Sequence, residues 1–363
     1  MDRATVHSRI EESFRRQARR DRKVRNAYLL VRSDRLGVDL RLAEGETQGV
    51  AADIRQPVHL ASVGKLFTAT VVALMHEEGL LSFDAPVSRY LDAELMDGLH
   101  VHRGRDYSGE VKVSHLLNQS SGLYDSFWPL LRMMTADPAM RITPREAVIW
   151  GREHLKPRAK PGQRHYYTDT NYYLLGLVVE SITGRPFHET LHRCIFEPLG
   201  MTGARMMGYS EPAVKTDLPV AGLYIDGRDW TRTPGAHGID YAGGGVIAPL
   251  EDYLKFMQAL VGGRLVKPGT LQRMMSDDHR SYPTIRYGYA IWKFVTVPLL
   301  LPAKFNCWGC VGVTGAFMFY HPRTEAHVIG SFGDISYRSK ACRFMLAKVI
   351  GPLLKCEHPE VRV

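Results

Sequence analysis

Strand character in this chain sits at its two ends, with helical patterns between them. Near the start, Asn26-Ala27-Tyr28-Leu29-Leu30-Val31-Arg32 is aliphatic and β-favouring. Gly37 to Ala43 alternates apolar and polar residues, the pattern of a hairpin partner. Comparable segments return only late, at Tyr287 to Phe294, Ala316 to Tyr320 and His327 to Ser331. From Leu80 to about Met201 the pattern is mostly helical, as at Val113–Leu117, Pro144–His154 and Asn171–Thr183, and a closing helix runs from about Arg338 to Leu354. Such an order predicts an α/β lobe assembled from both ends of the chain, with a helical lobe inserted into it.

The composition is that of a globular protein: 363 residues, 45% hydrophobic and 23% charged. Lys and Arg exceed Asp and Glu by 47 to 38, a net charge of +9. Much of the excess lies in Arg15-Arg16-Gln17-Ala18-Arg19-Arg20-Asp21-Arg22-Lys23-Val24-Arg25. A basic run can bind phosphate or an anionic membrane. Here Val6, Ile10, Phe14 and Ala18 recur every four residues through the same stretch, which reads as one apolar stripe on a helix with a solvated charged face. No zinc-finger spacing or RNP-type aromatic motif supports nucleic-acid binding. The first residues lack the apolar stretch of a secretory signal, and no run approaches the ~18 apolar residues of a membrane span. The expectation is a cytoplasmic protein without a membrane span. Five cysteines, Cys194, Cys307, Cys310, Cys342 and Cys356, suggest free thiols. Cys307-Trp308-Gly309-Cys310 has C-x-x-C spacing, but strand-like residues follow it and no second pair completes a zinc site. Neither a metal nor a cofactor is called for.

Three stretches carry chemistry. His59-Leu60-Ala61-Ser62-Val63-Gly64-Lys65-Leu66-Phe67 reads as the opening of a helix that runs to about Glu78. Ser62 and Lys65 then share one face, one turn apart. A lysine so placed can activate a serine hydroxyl, a weak nucleophile unaided, although the same tetrad also fits an N-cap serine with a solvated lysine. Tyr167-Thr168-Asp169 precedes an apolar helix. A loop phenol beside a cation can exchange protons, and a clustered tyrosine can equally be core or an aromatic lid. Third, Gly309-Cys310-Val311-Gly312-Val313-Thr314-Gly315-Ala316 reads as a glycine-bearing strand. Its N–H groups could hold an acyl group by strand addition or supply part of an oxyanion hole; a tightly packed buried strand would look the same.

S-x-x-K, then Y-x-[ND], then a glycine-rich strand is an order that resembles the serine β-lactamase and penicillin-binding-protein superfamily. The resemblance is greatest to the branch of class C β-lactamases, family VIII-type esterases, and D-aminopeptidase or D-Ala-D-Ala carboxypeptidase-like enzymes. Val113-Ser114-His115-Leu116-Leu117-Asn118-Gln119-Ser120-Ser121-Gly122-Leu123 is similar to that family's LLxHTSGL stretch. Glu180 to Gly184, Glu197 to Met201 and Ala242 to Gly245 are further family-like landmarks, and the match runs in order from about residue 55 to 335. It implies an α/β (α+β) fold with an antiparallel sheet flanked by N- and C-terminal helices and an inserted all-helical lobe. The expected division is a basic amphipathic helix at 1–25 packing on the sheet, followed by one catalytic unit at 26–358. Within that unit, an α/β lobe would comprise about 26–70 and 235–358, and a helical lobe about 71–234.

The same resemblance implies roles. Ser62 would be the acyl-accepting nucleophile, Lys65 and Tyr167 its acid/base pair, and the N–H groups of Ser62 and Val313 the oxyanion hole. Asp169, Cys310, Gly312 and Val313 would face substrate. A free lysine is only about 0.04% neutral at pH 7 with a pKa of about 10.4. Either the site lowers the pKa of Lys65, or Tyr167 acts as base beside a charged lysine. Two departures from the family stand out. Asp169 occupies a position where many relatives carry asparagine, which makes the pocket more negative and favours an amine-bearing substrate. Cys310-Val311-Gly312 stands where relatives have Lys-Thr-Gly or His-x-Gly, so the cation that grips a substrate carboxylate is missing. The implied function is a serine hydrolase forming an acyl-enzyme with a small ester or peptide-like amide, classical β-lactam turnover being disfavoured. The alternatives are a transacylase, or a non-catalytic scaffold on the same fold with a degraded third motif.

Overall fold

The computed structural model describes residues 1–137, 139–233 and 237–357. Helix α1 (Arg3–Arg20) begins at Asp2, whose carboxylate accepts the Thr5 N–H, and ends in Arg19 and Arg20, which suit the negative end of the helix dipole. Its buried residues are Val6, Ile10, Phe14 and Ala18, the stripe legible in the sequence, while Arg9, Arg16 and Arg20 stay exposed. Strands β1 (Asn26–Ser33) and β2 (Val38–Thr47) form the expected hairpin, with Tyr28 opposite Ala43 and Val31 opposite Leu40. Arg15 and Arg19 reach from α1 to Glu44 of β2 and tie the helix to the hairpin.

Two short strands follow, β3 (Val50–Ala51) and β4 (Val58–His59). The helical region contains α2 (Gly64–Glu77), α3 (Val113–Leu117), α4 (Phe127–Ala136), α5 (Pro144–His154) and α6 (Thr170–Thr183). Local signals set several of these ends. Thr143 and Glu146 form a capping box around Pro144 at the start of α5, and Gly184, at φ +64°, stops α6. Strands β5 (Arg205–Met206) and β6 (Val246–Ala248) join β4 in a small antiparallel sheet, and α7 (Leu250–Val261) follows. Then come β7 (His279–Tyr282), β8 (Ile285–Tyr287), β9 (Trp292–Phe294), β10 (Cys307–Gly312), β11 (Ala316–His321) and β12 (Ala326–Ser331). Helix α8 (Lys340–Phe344) continues through wider turns to Leu353.

The main sheet has nine strands among the described residues, in the order β7-β8-β9-β10-β11-β12-β1-β2-β3, with all neighbours antiparallel. Strand β1 thus lies between the first hairpin and the last strand, Tyr28 pairing with Ser331. Its Tyr28 and Leu30 enter the core shared with the helical region, while Ala27, Leu29 and Val31 enter a second core under α1 and the C-terminal helix. Burial on both faces explains why β1 reads as a continuous apolar run. The helices and one face of the sheet share a single hydrophobic core, so the inserted region folds onto the sheet. The expected lobe boundary at 234/235 and the expected end at 358 lie outside the described residues. Among the described residues, no helix is long and apolar enough to cross a membrane.

Tyr287 to Phe294, read as one strand, is instead the end of β8, a reversal and β9. Ala290 takes φ +57° within it, and the Gly288 backbone is pressed against Met274, where a β-carbon would lie 2.2 Å from the carbonyl oxygen. Tyr289 and Ala290 donate their N–H groups to Met274 and Leu117, so the reversal docks onto the helical region.

Candidate active site

The site begins where β4 runs out. After His59 the chain turns through Leu60 and a single tight turn at Ala61–Val63 before α2 starts at Gly64. Ala61 has φ +50°, a left-handed conformation that costs a non-glycine residue about 1–2 kcal/mol. His59 Nδ1 accepts the Ala61 N–H at 3.2 Å and braces the turn, while its other ring nitrogen lies 3.0 Å from Asp240 Oδ2. The result places Ser62 half-buried at the head of α2, with Lys65 fully buried behind it. Gly64 is required here: a β-carbon on it would fall 2.9 Å from the Gly244 backbone. The first turn of α2 therefore packs main chain to main chain against the Ala242–Gly245 segment.

Three acceptors surround Lys65 Nζ: Ser62 Oγ at 3.0 Å, the Gly243 carbonyl at 2.7 Å, and Asp169 Oδ1 in a close ion pair. An ammonium has three N–H donors, and all three are used. The rings of Tyr167 and Tyr172 lie 5.3 and 5.2 Å from the nitrogen and add cation–π contact. Burial by itself would drive the proton off Lys65; the charge of Asp169, then that of Tyr167, and the hydrogen bond Lys65 donates to Asp169 outweigh it and hold the pKa above its usual value. Asp169 is pushed upward by burial and pulled back by Lys65. Asp125 lies directly behind it and accepts the Asp169 N–H at 3.2 Å; burial, and then the Asp169 charge, raise it to about 7.

Tyr167 is half-buried, its ring 5.3 Å from Lys65 Nζ and its phenol close enough to Ser62 and Lys65 to feel both. Burial raises the phenol's pKa, and the Lys65 charge opposes the rise. Its ring stands against Tyr287 and Trp292, centroids 5.9 and 6.2 Å away, so the β8–β9 reversal supplies an aromatic wall. Gln119, at φ +62°, holds the loop that carries Tyr167: its main-chain carbonyl accepts the Tyr166 N–H, and its side-chain oxygen accepts from Thr168 N–H and Asn171. Gln119 is thus the clamp on the Tyr-Thr-Asp loop.

Strand β10 closes the opposite side. A β-carbon on Gly312 would come within 2.2 Å of the Leu60 carbonyl oxygen, so only glycine lets the strand pass the Ser62 turn. Among the described residues, strand β9 pairs only with Cys307–Gly309, and Cys310–Gly312 has no strand partner on that side. Val313, half-buried, follows at the strand's end. Cys310 is fully buried and turns its thiol to the Ser62 carbonyl oxygen at 3.2 Å; burial lifts that thiol to about 12. Cys307 points into the core on the other face of the sheet, so Cys307 and Cys310 form no redox pair.

Ser62, Lys65, Tyr167, Asp169, Cys310 and Gly312 are therefore brought together from three separate stretches. Two differ from expectation in where they point. Asp169 is engaged by Lys65 and Cys310 by the main chain, because each fills a buried polar requirement left by its neighbour; neither offers its side chain freely to substrate. Sequence reasoning missed Asp125, the Gly243 carbonyl and the His59–Asp240 brace. A main-chain carbonyl has no residue-type signature, and Asp125 and His59 owe their places to tertiary contact.

The profile of the Beta-lactamase family matches residues 17–329, and the chain belongs to that family. It is 28% identical over 270 residues to ML-236A carboxylate methylbutanoyltransferase mlcH of Penicillium citrinum, covering 66% of this chain and 63% of that protein. It is 26% identical over 225 residues to the putative penicillin-binding protein PbpX of Bacillus subtilis (strain 168), covering 61% of this chain and 51% of that one. The matches thus span less than two-thirds of either relative. Among solved structures, a D-stereospecific amidohydrolase from Streptomyces sp. superposes with a TM-score of 0.76 at 23% identity, over 94% of this chain and 98% of that chain. The fold is that of the β-lactamase-like hydrolases, a family whose members include amidases, esterases and peptidases.

Proposed function

We propose that this protein is a serine hydrolase that forms an acyl-enzyme on Ser62 from a small ester or peptide-like amide. The observation that carries this reading is the half-open Ser62 hydroxyl held 3.0 Å from Lys65 Nζ, with the Tyr167 ring 5.3 Å from the same nitrogen. Lys65 remains an ammonium, its three N–H groups committed to Ser62, Asp169 and Gly243. The reactive form is the minor one in which Tyr167 has first lost its proton to solvent; that phenolate takes the Ser62 proton while Oγ bonds to the substrate carbonyl carbon. The N–H groups of Ser62 and Val313 receive the oxyanion. Tyr167 then returns the proton to the departing alkoxide or amine as its bond to the carbonyl carbon breaks, and water releases the acyl group by the reverse exchange. The thiol in place of a cation at Cys310 and the aromatic wall of Tyr287 and Trp292 support a substrate without a carboxylate.

The test is labelling by a fluorophosphonate and turnover of nitrophenyl esters, D-amino-acid amides and a chromogenic β-lactam. Wild type is expected to label on Ser62 and to cleave esters or amides in preference to the β-lactam, and Ser62→Ala to do neither. An unlabelled Ser62 in folded wild-type protein refutes the reading.

A further inference from the structure

Away from Ser62, a cavity of about 370 Å³ opens where β1, β2 and the approach to β4 meet the run into β5 at 202–205, the segment 214–216 and the head of α7 at 249–252. That volume falls in the ~300–1,000 Å³ range of small-molecule sites. One part of its wall is apolar, formed by Leu30, Ile54, Pro57, Val214 and Pro249. The charged part is nearly all internally matched. Glu251 pairs with Arg41 at 3.1 Å, Arg55 with Asp53 at 2.6 Å, and Asp252 accepts the Gly203 N–H at 2.9 Å and Lys255 at 2.8 Å. Lys215 keeps a loose contact with Glu211 at 3.9 Å.

Arg205 differs from all of these. It is half-buried on β5 and lines the cavity, yet no hydrogen bond or ion pair reaches its guanidinium among the described residues. Burial depresses its pKa, with only the unbonded charges of Glu211 and Tyr253 opposing. A guanidinium carries five donors in a rigid fork, and this one, held half-buried without a protein acceptor, opens them to the cavity. Beside an apolar wall, the space is large enough for the acceptor to be a ligand.

We propose that Arg205 anchors a second binding site, for a small organic anion whose carboxylate or phosphate engages the guanidinium fork and whose short apolar body lies along Ile54, Pro57 and Val214. Carboxylate and phosphate share the planar or tripodal oxygens that match arginine bidentately. Thr202 and Thr216 stand on the same wall as further donors. The site is separate from the Ser62 cleft but linked to it: Arg205 pairs with Ile247, which pairs with His59, the residue that braces the Ser62 turn. Two strand spacings, about 10 Å, separate their backbones.

The test is calorimetric titration of wild type, Arg205→Gln, Arg205→Lys and Ser62→Ala with hexanoate, inorganic phosphate and, as a neutral control, 1-hexanol, together with melting of each protein without ligand. Hexanoate or phosphate is expected to bind wild type and Ser62→Ala alike, to weaken about tenfold or more in Arg205→Gln, and to be intermediate in Arg205→Lys. Hexanol should not distinguish the variants. Preference for hexanoate identifies a carboxylate on an apolar body; preference for phosphate identifies a phosphate ligand. Without ligand, Arg205→Gln should melt no lower than wild type, because it removes an unmatched charge. The proposal is overturned if neither anion binds wild type at millimolar concentration, if Arg205→Gln binds as well as wild type, if Ser62→Ala loses the binding, or if Arg205→Gln melts lower and so reveals a structural cation.

Discussion

The α1 face of the sheet and the Ser62 cleft are both helix-against-strand junctions, and they are built on opposite principles. Under α1, every buried helix residue is apolar and most exposed positions carry charge. In the cleft, Lys65 and the carboxylates Asp125 and Asp169 are withdrawn from water against one another, and Ala61 and Gln119 hold left-handed backbone that side chains disfavour. The first region contributes stability and the second consumes it. A cleft like this persists only because surrounding contacts over-determine it: the Gly64–Gly244 packing, the Gln119 clamp and the His59 brace.

That contrast can be broken by substitution. Ser62→Ala should lower turnover by at least about a thousandfold while the urea midpoint stays close to wild type. A variant that unfolds more easily instead would place Ser62 among the structural residues. Phe14→Ala should do the reverse, costing about 3–5 kcal/mol in urea unfolding and leaving kcat of the folded fraction unchanged. A fall in kcat would mean the two regions are coupled. Asp169→Asn should move the rising limb of the pH–rate profile to lower pH by about one unit or more. The sign follows from the Asp169 charge, which raises both Lys65 and Tyr167; without it, either group loses its proton at lower pH. An unmoved limb would show that neither group titrates in the rate. Arg16→Ala, on the exposed face of α1, should change stability by no more than about 0.5 kcal/mol. A larger loss would show that the basic face bears load.

The two regions also differed in what the sequence disclosed. Helix α1 was legible residue by residue, because a four-residue apolar period can be satisfied in only one way against a sheet. Strand β1 and its hairpin partner were legible for the same reason. In the cleft, Ser62, Lys65 and Tyr167 could be named because side-chain chemistry recurs in a fixed order along the chain. What joins them could not. Gly243 contributes a carbonyl, Gln119 a clamp that replaces a family histidine, and Asp169 a carboxylate whose direction is set by a lysine over a hundred positions away. Tyr287 to Phe294 was misread because its reversal depends on docking against Met274 and Leu117, contacts that local propensity does not encode.

The sheet's pairing of first strands with last has a consequence for synthesis. Cys310 lies 248 residues beyond the Ser62 carbonyl it meets. A nascent chain that stops short of β10 already contains Ser62, Lys65 and Tyr167 but has no strand to finish the cleft. Until β12 emerges, β1 also presents one unpaired edge to its surroundings. Productive assembly is therefore late and depends on contacts far apart in sequence, the regime in which folding is slow and premature strand pairing competes. The interval between making Ser62 and making its partner strand is when this chain is most exposed to misassembly, and throughout it the cleft is incomplete.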